Sequence, residues 1–519
     1  MADHLIQDSV LDVGLVDRLA RGITGSGAPA TTVHPFTGSP LAQLPTSTAE
    51  DVAGAFVKAR AAQAKWAATP ARERAKPFIR LHDLILNHSE LIDIVQAETG
   101  KARNSAFEET VDVAGVALYY GRRAPDFLAP RKRLGAIPMA TRTRELRHPK
   151  GVVGIISPWN YPLSLAVCDA IPALLAGNAV VHKPDTQTAL TALRARELLI
   201  EAGLPADLWQ IVVGDPAEVG EPLLNHADHI CFTGSTPAGK RIAQAAAARL
   251  IGCTLELGGK NPMLVLDDAN LDKAASGAVR ACFSTTGQLC MSMERIYVAD
   301  KVYDVFLDKL VIRTRNIKLG SGFGWDYEVG TLTSQRQLDV VERHIADAVD
   351  HGATVLVGGK ARPELGPFFY EPTILSGVTP EMAVFTNETF GPVVSVYRVG
   401  SDAEAIERAN DSEFGLNASV WTTDIARGRR VAEQIRCGSV NINEGVGAAF
   451  VSNDAPSGGM KQSGQGRRHG EHGLLEYTEL QTVASQHVIG FDPIPGTTPK
   501  TNAALLVAIY RLMKLLRIK

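Results

Sequence analysis

From about residue 152 onward, short apolar runs alternate with stretches of helical spacing. Val152–Ile156, Ala179–His182, Leu208–Val213, His229–Thr233, Cys253–Leu257 and Met263–Leu266 are too short for helices and read as buried strands. Between them Thr188–Ala202 has helical composition and stops at Gly203-Leu204-Pro205, and a second helix begins after Pro237 and runs through the alanine-rich Arg241–Arg249. Strands alternating with helices predict a parallel, doubly wound sheet, which binds ligands where its strand ends lead into helices. A second series follows Asn270: Asp304–Arg315 and Leu338–Val349 helical, Thr354–Val357 and Val393–Tyr397 extended, Ala403–Asn410 and Ile425–Arg436 helical. The fold class expected is therefore α/β, with two doubly wound open-sheet domains facing one cleft.

Two segments break this rhythm. Thr141–Arg147 is polar on both faces, which suits an arm or an oligomer edge and not a core strand. Beyond Asp492, Pro493, Pro495 and Pro499 predict an extended linker, and Asn502–Lys519 places Leu505, Ile509, Leu512 and Leu516 at helical spacing with Arg511, Lys514 and Arg517 between them. That run is too short and too charged to cross a bilayer. It packs either on protein, its own or a neighbouring subunit's, or on an anionic membrane surface.

At 519 residues, two or three domains are expected. A net charge of −3 offers no basic excess for a nucleic-acid backbone. The opening MADHLIQDSV lacks the apolar core of a secretory signal, and six cysteines without paired spacing fit a reducing cytoplasm, with neither a disulfide framework nor a metal site.

Among the cysteines, Cys231 and Cys253 lie in apolar strand runs and read as core, while Cys168 and Cys437 lie in or beside helical segments without a polar constellation. Cys290 differs. It ends the small, polar loop Thr285-Thr286-Gly287-Gln288-Leu289, where a thiol can be approached closely. Glu256 stands at the end of a buried strand before Gly258-Gly259, two glycines that let another backbone or a ligand come near, and so reads as an acid–base group or a salt-bridge partner. Asn160, between Pro158 and Pro162, has a restricted backbone that would aim its amide as an oxyanion donor or simply form a rigid turn.

Taken in order, Pro158-Trp159-Asn160-Tyr161-Pro162, Phe232-Thr233-Gly234-Ser235, Glu256-Leu257-Gly258-Gly259-Lys260, Gly287-Gln288-Leu289-Cys290 and Glu388-Thr389-Phe390-Gly391-Pro392 resemble the successive signatures of the aldehyde dehydrogenase superfamily, from about Val33 to Val483. The resemblance is strongest to the NADP-type succinate-semialdehyde dehydrogenase branch, in its second actinobacterial form. It implies oxidation of an aldehyde to a carboxylic acid: Cys290 as nucleophile, Asn160 as oxyanion donor, Glu256 as the base that hydrolyses the thioester. It further implies a Rossmann-like NAD(P)-binding domain (residues 1–131 and 150–258), a catalytic domain (259–476), an oligomerisation arm (132–149 and 477–490) that would build a homodimer or homotetramer, and a tail (491–519).

For the cofactor, the resemblance assigns Trp159, Asn160, Lys183, Pro184, Asp185, Thr186, Gly234, Ser235, Leu257, Glu388 and Phe390. Gly234–Gly239 joins a strand to a helix, so a pyrophosphate is expected near that helix start. Where NAD-preferring relatives carry a Glu that binds both ribose hydroxyls, this chain has Thr186, so NADP is expected to be accepted and preferred over NAD, with Asp185 the residue that would oppose this. The substrate is less determined. Cys168 and Ser284 stand where the branch carries arginines, Ser292 replaces a second cysteine, and Arg468 replaces a proton-relaying Glu. A less charged aldehyde is thus the alternative to succinate semialdehyde. A non-catalytic cofactor-binding protein and a thiol esterase are the rivals of other classes.

Overall fold

The computed structural model of the chain describes residues 11–136, 141–487, 492 and 494–518, so the opening decapeptide and Pro493 lie outside the described residues. Two compact units form: residues 1–127 with 149–477, and 128–148 with 478–519.

The first unit contains two sheets. A six-stranded sheet runs, edge to edge, through Gly464–Gln465, Gly252–Glu256, His229–Thr233, Val152–Ile156, Ala179–Lys183 and Trp209–Ile211. All neighbours are parallel except the short Gly464–Gln465 strand, which pairs antiparallel with Gly252–Glu256. A seven-stranded sheet runs through Thr354–Val357, Thr373–Ser376, Val393–Val399, Met293–Ala299, Asn261–Val265, Asn417–Trp421 and Ser439–Ile442, with only the first strand antiparallel. The central strands are buried on both faces, which is why they read as continuous apolar runs without alternation.

Helices cover these sheets according to their composition. Pro162–Leu175 starts on a proline at its first turn and is buried along all 14 residues, as an all-round apolar helix must be. Leu271–Phe283 is amphipathic, capped by Asn270 accepting from the Lys273 amide. It lays Ala274, Ala278 and Phe283 into a core with Met263, Met293, Phe306 and Trp421. Each large side chain buried there contributes about 1.5–3 kcal/mol, and the whole cluster fixes the point from which the Cys290 loop departs.

The predicted strands and helices recur, three strands with the same ends and the others with ends shifted by up to four residues. Two differences are informative. The run read as Met263–Leu266 continues the first series along the chain but enters the second sheet, because a buried apolar run carries no mark of which sheet it joins. The helix read as Ile425–Arg436 ends at Ala432. The helices Ala49–Ala68, Ala71–Asn87 and Arg103–Phe127 received no assignment from the sequence, where their polar faces interrupt the pattern. Among the cysteines, Cys231 is buried but Cys253 is only half-buried, near the start of its strand.

The second unit holds a three-stranded sheet in the order Thr478–Gln486, Thr141–Pro149, Arg131–Arg133, and the helix Pro499–Leu515. Glu145 in the central strand bridges Arg133 and Arg147 at 2.6 and 2.8 Å, which accounts for the polar faces. The helix is capped by Thr498 and leaves Leu505, Leu512 and Leu515 exposed along one flank. No helix among the described residues is long and apolar enough to cross a membrane.

Candidate active site

Three loops bring the site together within the first unit. The first follows Val152–Ile156 and carries Pro158–Pro162. Its conformation is fixed from below by a buried ion pair: Lys101 Nζ meets Glu109 Oε1 at 2.6 Å and donates to the Asn160 carbonyl at 2.7 Å. The other oxygen of Glu109 accepts the Leu163 and Ser164 amides at 2.8 and 3.1 Å, so one carboxylate holds the loop and the start of the following helix. The Asn160 side chain spends one amide proton on the Gln288 carbonyl at 3.0 Å; an amide has two.

The second loop carries the nucleophile candidate. Between Phe283 and Cys290 the backbone leaves regular structure: Thr285 and Thr286 take left-handed φ values of 51° and 57°. Side chains replace the missing ladder. Gln288 Nε2 donates to the Thr285 carbonyl at 3.2 Å, and Asn261 Nδ2 donates to the Cys290 and Ser292 carbonyls, both at 2.8 Å. Gly258 and Gly259 play the part expected of them. A Cβ on the first would stand 2.6 Å from Glu388 Oε2, and one on the second 2.6 Å from the Cys290 carbonyl oxygen.

The third loop, Glu388–Phe390, is held by a second buried ion pair, Lys260 with Glu294. Glu294 accepts the Thr389 and Phe390 amides at 3.0 Å, and Phe390 sits at φ 53° with its ring edge-on to Trp159, centroids 5.5 Å apart. Glu388 itself accepts the Gly259 amide at 2.9 Å.

Two cavities meet at Cys290. One, of about 310 Å³, is lined by Trp159, Asn160, Gly234, Ser235, Glu256, Leu257, Glu388 and Phe390. The other, of about 270 Å³, is lined mostly by apolar side chains, among them Phe107, Val111, Leu165 and Phe450, with Arg280 and Arg468 also in its wall. Asn160, Glu256 and Cys290 line both. Four of the residues assigned to cofactor lie outside the first cavity: Lys183 ends its strand beside Ile156, and Pro184, Asp185 and Thr186 follow it. Lys183 is buried, with its Nζ 3.3 Å from the Pro184 carbonyl, and Asp185 is committed to capping the Gln187 amide at 3.0 Å.

Burial sets the protonation of the site. The Cys290 thiol is pushed up to about 12, first by desolvation and then by the Glu388 and Glu256 charges, so the resting group is a thiol. Burial likewise raises Glu256 to about 7 and Glu388 to about 8. The first cavity fits a dinucleotide. Ser235 makes no side-chain cap to the helix Thr236–Ala248, so its first amides are left for an anion, and Glu388 offers a half-buried acceptor in the wall of the same cavity.

Sequence reasoning missed the supporting pairs. Lys101 with Glu109 and Lys260 with Glu294 join residues 8 and 34 apart in the chain; a Glu inside the buried strand Met293–Ala299 was the one available signal. Cys168, read as lacking polar company, lies 3.6 Å from Asp112 Oδ2, next to the buried Asp169–Arg468 pair.

A two-sheet α/β unit with a half-buried cysteine in the shared wall of two cavities is the arrangement of a thiol-dependent oxidoreductase. The model of the Aldehyde dehydrogenase family matches residues 23–483, and the chain belongs to that family. A protein of Mycolicibacterium smegmatis named "Putative succinate-semialdehyde dehydrogenase", with NADP(+) in its name, is 52% identical over 482 residues, covering 92% of this chain and 93% of that protein. The mitochondrial succinate-semialdehyde dehydrogenase of Oryza sativa is 36% identical over 87% of this chain and 85% of its own length. Among solved structures, a betaine aldehyde dehydrogenase of Staphylococcus aureus in complex with NAD+ superposes with a TM-score of 0.87 at 32% identity, covering 95% of this chain and 99% of that one.

The thiol assignment is open to a direct check. In the ligand-free protein, iodoacetamide should label Cys290 slowly at pH 7, and the rate should rise about tenfold per pH unit through pH 9 without levelling, since only the thiolate reacts. Mass spectrometry of the Cys290 peptide reads this out, and a plateau below pH 8 is the contrary result.

Proposed function

We propose that the protein oxidises an aldehyde to its carboxylic acid with NADP+, through a thioester on Cys290. The observation that carries this reading is that Cys290, Glu256 and Asn160 stand in the shared wall of the two cavities. A carbonyl carbon entering from the apolar cavity meets the sulfur there. Bond formation between them moves negative charge onto the former carbonyl oxygen, and the free proton of Asn160 Nδ2 is placed to stabilise it; one such donor contributes ~2.7–4 kcal/mol. Glu256, near neutral pKa, is the group able to take the proton of the hydrolytic water. Glu388 and Phe390 would hold the nicotinamide riboside, and Gly234 and Ser235 the pyrophosphate. When bound, the oxidised nicotinamide supplies the hydride acceptor and a positive charge that favours the thiolate. The division at residue 258 into cofactor and catalytic parts is supported by Glu256 and Asn261 entering different sheets.

NADP is favoured over NAD by local charge. Lys183 is a buried cation, Asp185 is occupied as a cap, and Thr186 presents no carboxylate; its hydroxyl bonds the Gly214 carbonyl at 3.2 Å. Thr186→Glu should shift the ratio of kcat/KM for NADP over NAD at least about tenfold toward NAD, roughly 1.4 kcal/mol, and an unchanged ratio would place the 2′-phosphate elsewhere.

The named relatives make succinate semialdehyde the first substrate to consider. Arg280 lies one helical turn before Ser284 in the cavity wall and supplies a cation the sequence reading did not weigh. The apolar lining favours a second reading, a less charged aldehyde. A panel of carboxylated, aliphatic and aromatic aldehydes with both nucleotides separates them, with Cys290→Ser expected to form no NADPH. If Arg280 receives a carboxylate, Arg280→Ala raises KM for succinate semialdehyde about tenfold and leaves butanal unaffected; equal effects on both favour the second reading.

The polar strand Thr141–Pro149 and the exposed leucines of Pro499–Leu515 support assembly into a cytoplasmic homo-oligomer, with the helix packed on a neighbouring subunit. Truncation after Gly490 should lower the mass measured by light scattering and leave liposome sedimentation unchanged; loss of lipid binding with unchanged mass would instead assign the helix to a membrane surface.

A further inference from the structure

Arg468 is a buried cation in the wall of the aldehyde-side cavity, and its place is fixed at both ends. Its backbone exchanges two hydrogen bonds with Ser457, at 2.7 and 2.8 Å. Its guanidinium binds Asp169 two-pronged, Nε to Oδ1 at 2.7 Å and Nη2 to Oδ2 at 2.6 Å, and Nη2 also donates to Thr233 Oγ1. Thr233 is the register partner of Glu256 on the adjacent parallel strand. The guanidinium is thus hydrogen-bonded to the residue beside the base, with Nη1 as its unengaged edge among the described residues. Glu256 Oε1 meanwhile is buried with no hydrogen-bond partner among them.

We propose that Arg468 is the positioning residue of the hydrolytic half-reaction: clamped by Asp169 and Thr233 on the strand beside the base, it holds a fixed positive charge that keeps Glu256 ready to accept a proton from the water that attacks the Cys290 thioester. This rests on the function proposed above. In that step the water oxygen bonds to the acyl carbon, one water proton passes to Glu256, and the C–S bond breaks with its electron pair returning to sulfur. The acid leaves as its carboxylate, and the two protons released reprotonate the sulfur and reach solvent. Arg468 neither gains nor loses a proton.

The charges facing Glu256 support this. Arg468 and Arg467 come from the segment after Gly466, Asp169 from the helix Pro162–Leu175, and Cys290 from its own loop; Thr233, Gly458 and Gly464, also packed on it, carry none. Burial drives Glu256 up, Arg468 pulls it down, Asp169 partly offsets that pull, and Arg467 adds to it, leaving about 7. A cation removed from this position lets the carboxyl hold its proton to higher pH.

The test is a stopped-flow series on the full-length protein with NADP+ and its best aldehyde, separating the NADPH burst from thioester hydrolysis between pH 5.5 and 9. Arg468→Gln should retain the burst rate within about threefold, slow hydrolysis at pH 7 about fivefold, and move the acid limb of hydrolysis up by about one pH unit. Arg468→Lys should restore the limb to near its original position. The double variant Asp169→Asn with Arg468→Gln leaves no lone buried charge and should reproduce the shifted limb if the single variant misfolds. An unmoved limb in a folded variant, or loss of burst and hydrolysis together, overturns the proposal while leaving the function standing. Absence of any wild-type burst with every aldehyde overturns the function and this proposal with it.

Discussion

The loop that ends at Cys290 cannot hold itself. Thr285 and Thr286 adopt left-handed backbone, each costing of order 1 kcal/mol or more, and no strand or helix ladder spans the segment. Its position is therefore imposed by side chains from elsewhere: Asn261 from the start of a strand, Asn160 from the opposite sheet's first loop. These supports are themselves held. Asn160 rests on Lys101 and Glu109, and the facing Glu388 loop rests on Lys260 and Glu294. Breaking one partner of such a buried pair costs about 3–5 kcal/mol, because the other charge is left without water or counterion. The site is rigid for that reason.

The same removal from water governs reactivity. Cys290, Glu256 and Glu388 are all shifted toward their neutral forms, and the balance among them is set by a few fixed charges. Such a site is quiet until a charged or polar partner arrives, which suits an enzyme whose reactive group must not meet stray electrophiles before both cavities are filled.

The sequence was informative where chemistry and periodicity coincide. Strand runs such as His229–Thr233 and Ala179–His182 are apolar because both faces are covered, and the motifs ending at Asn160, Glu256 and Cys290 sit at strand or helix ends where ligands gather. What stayed hidden depends on distance. Nothing in the chain around Lys101 points to Asn160, 59 residues on, nor does the neighbourhood of Arg468 announce Asp169, 299 residues back. The long helix Arg103–Phe127 escaped because it buries polar groups such as Glu109 and Asp112 among its apolar ones, which blurs the 3.6-residue stripe. Protonation also depends on the fold: a loop cysteine in solvent ionises a little above neutral pH, and desolvation at the site pushes Cys290 well beyond that.

On the proposed function, aldehyde and nucleotide reach the sulfur from different cavities, and the two walls then answer to different demands. Side chains such as Phe107 and Phe450 border only the apolar cavity, and Gly234 and Ser235 only the other. Divergence in one half can therefore proceed while the other stands still, so a lineage can acquire new fuels without relearning its coenzyme. A compound built to fill the oily chamber would likewise discriminate between close cousins, whereas one mimicking the nucleotide would strike them all.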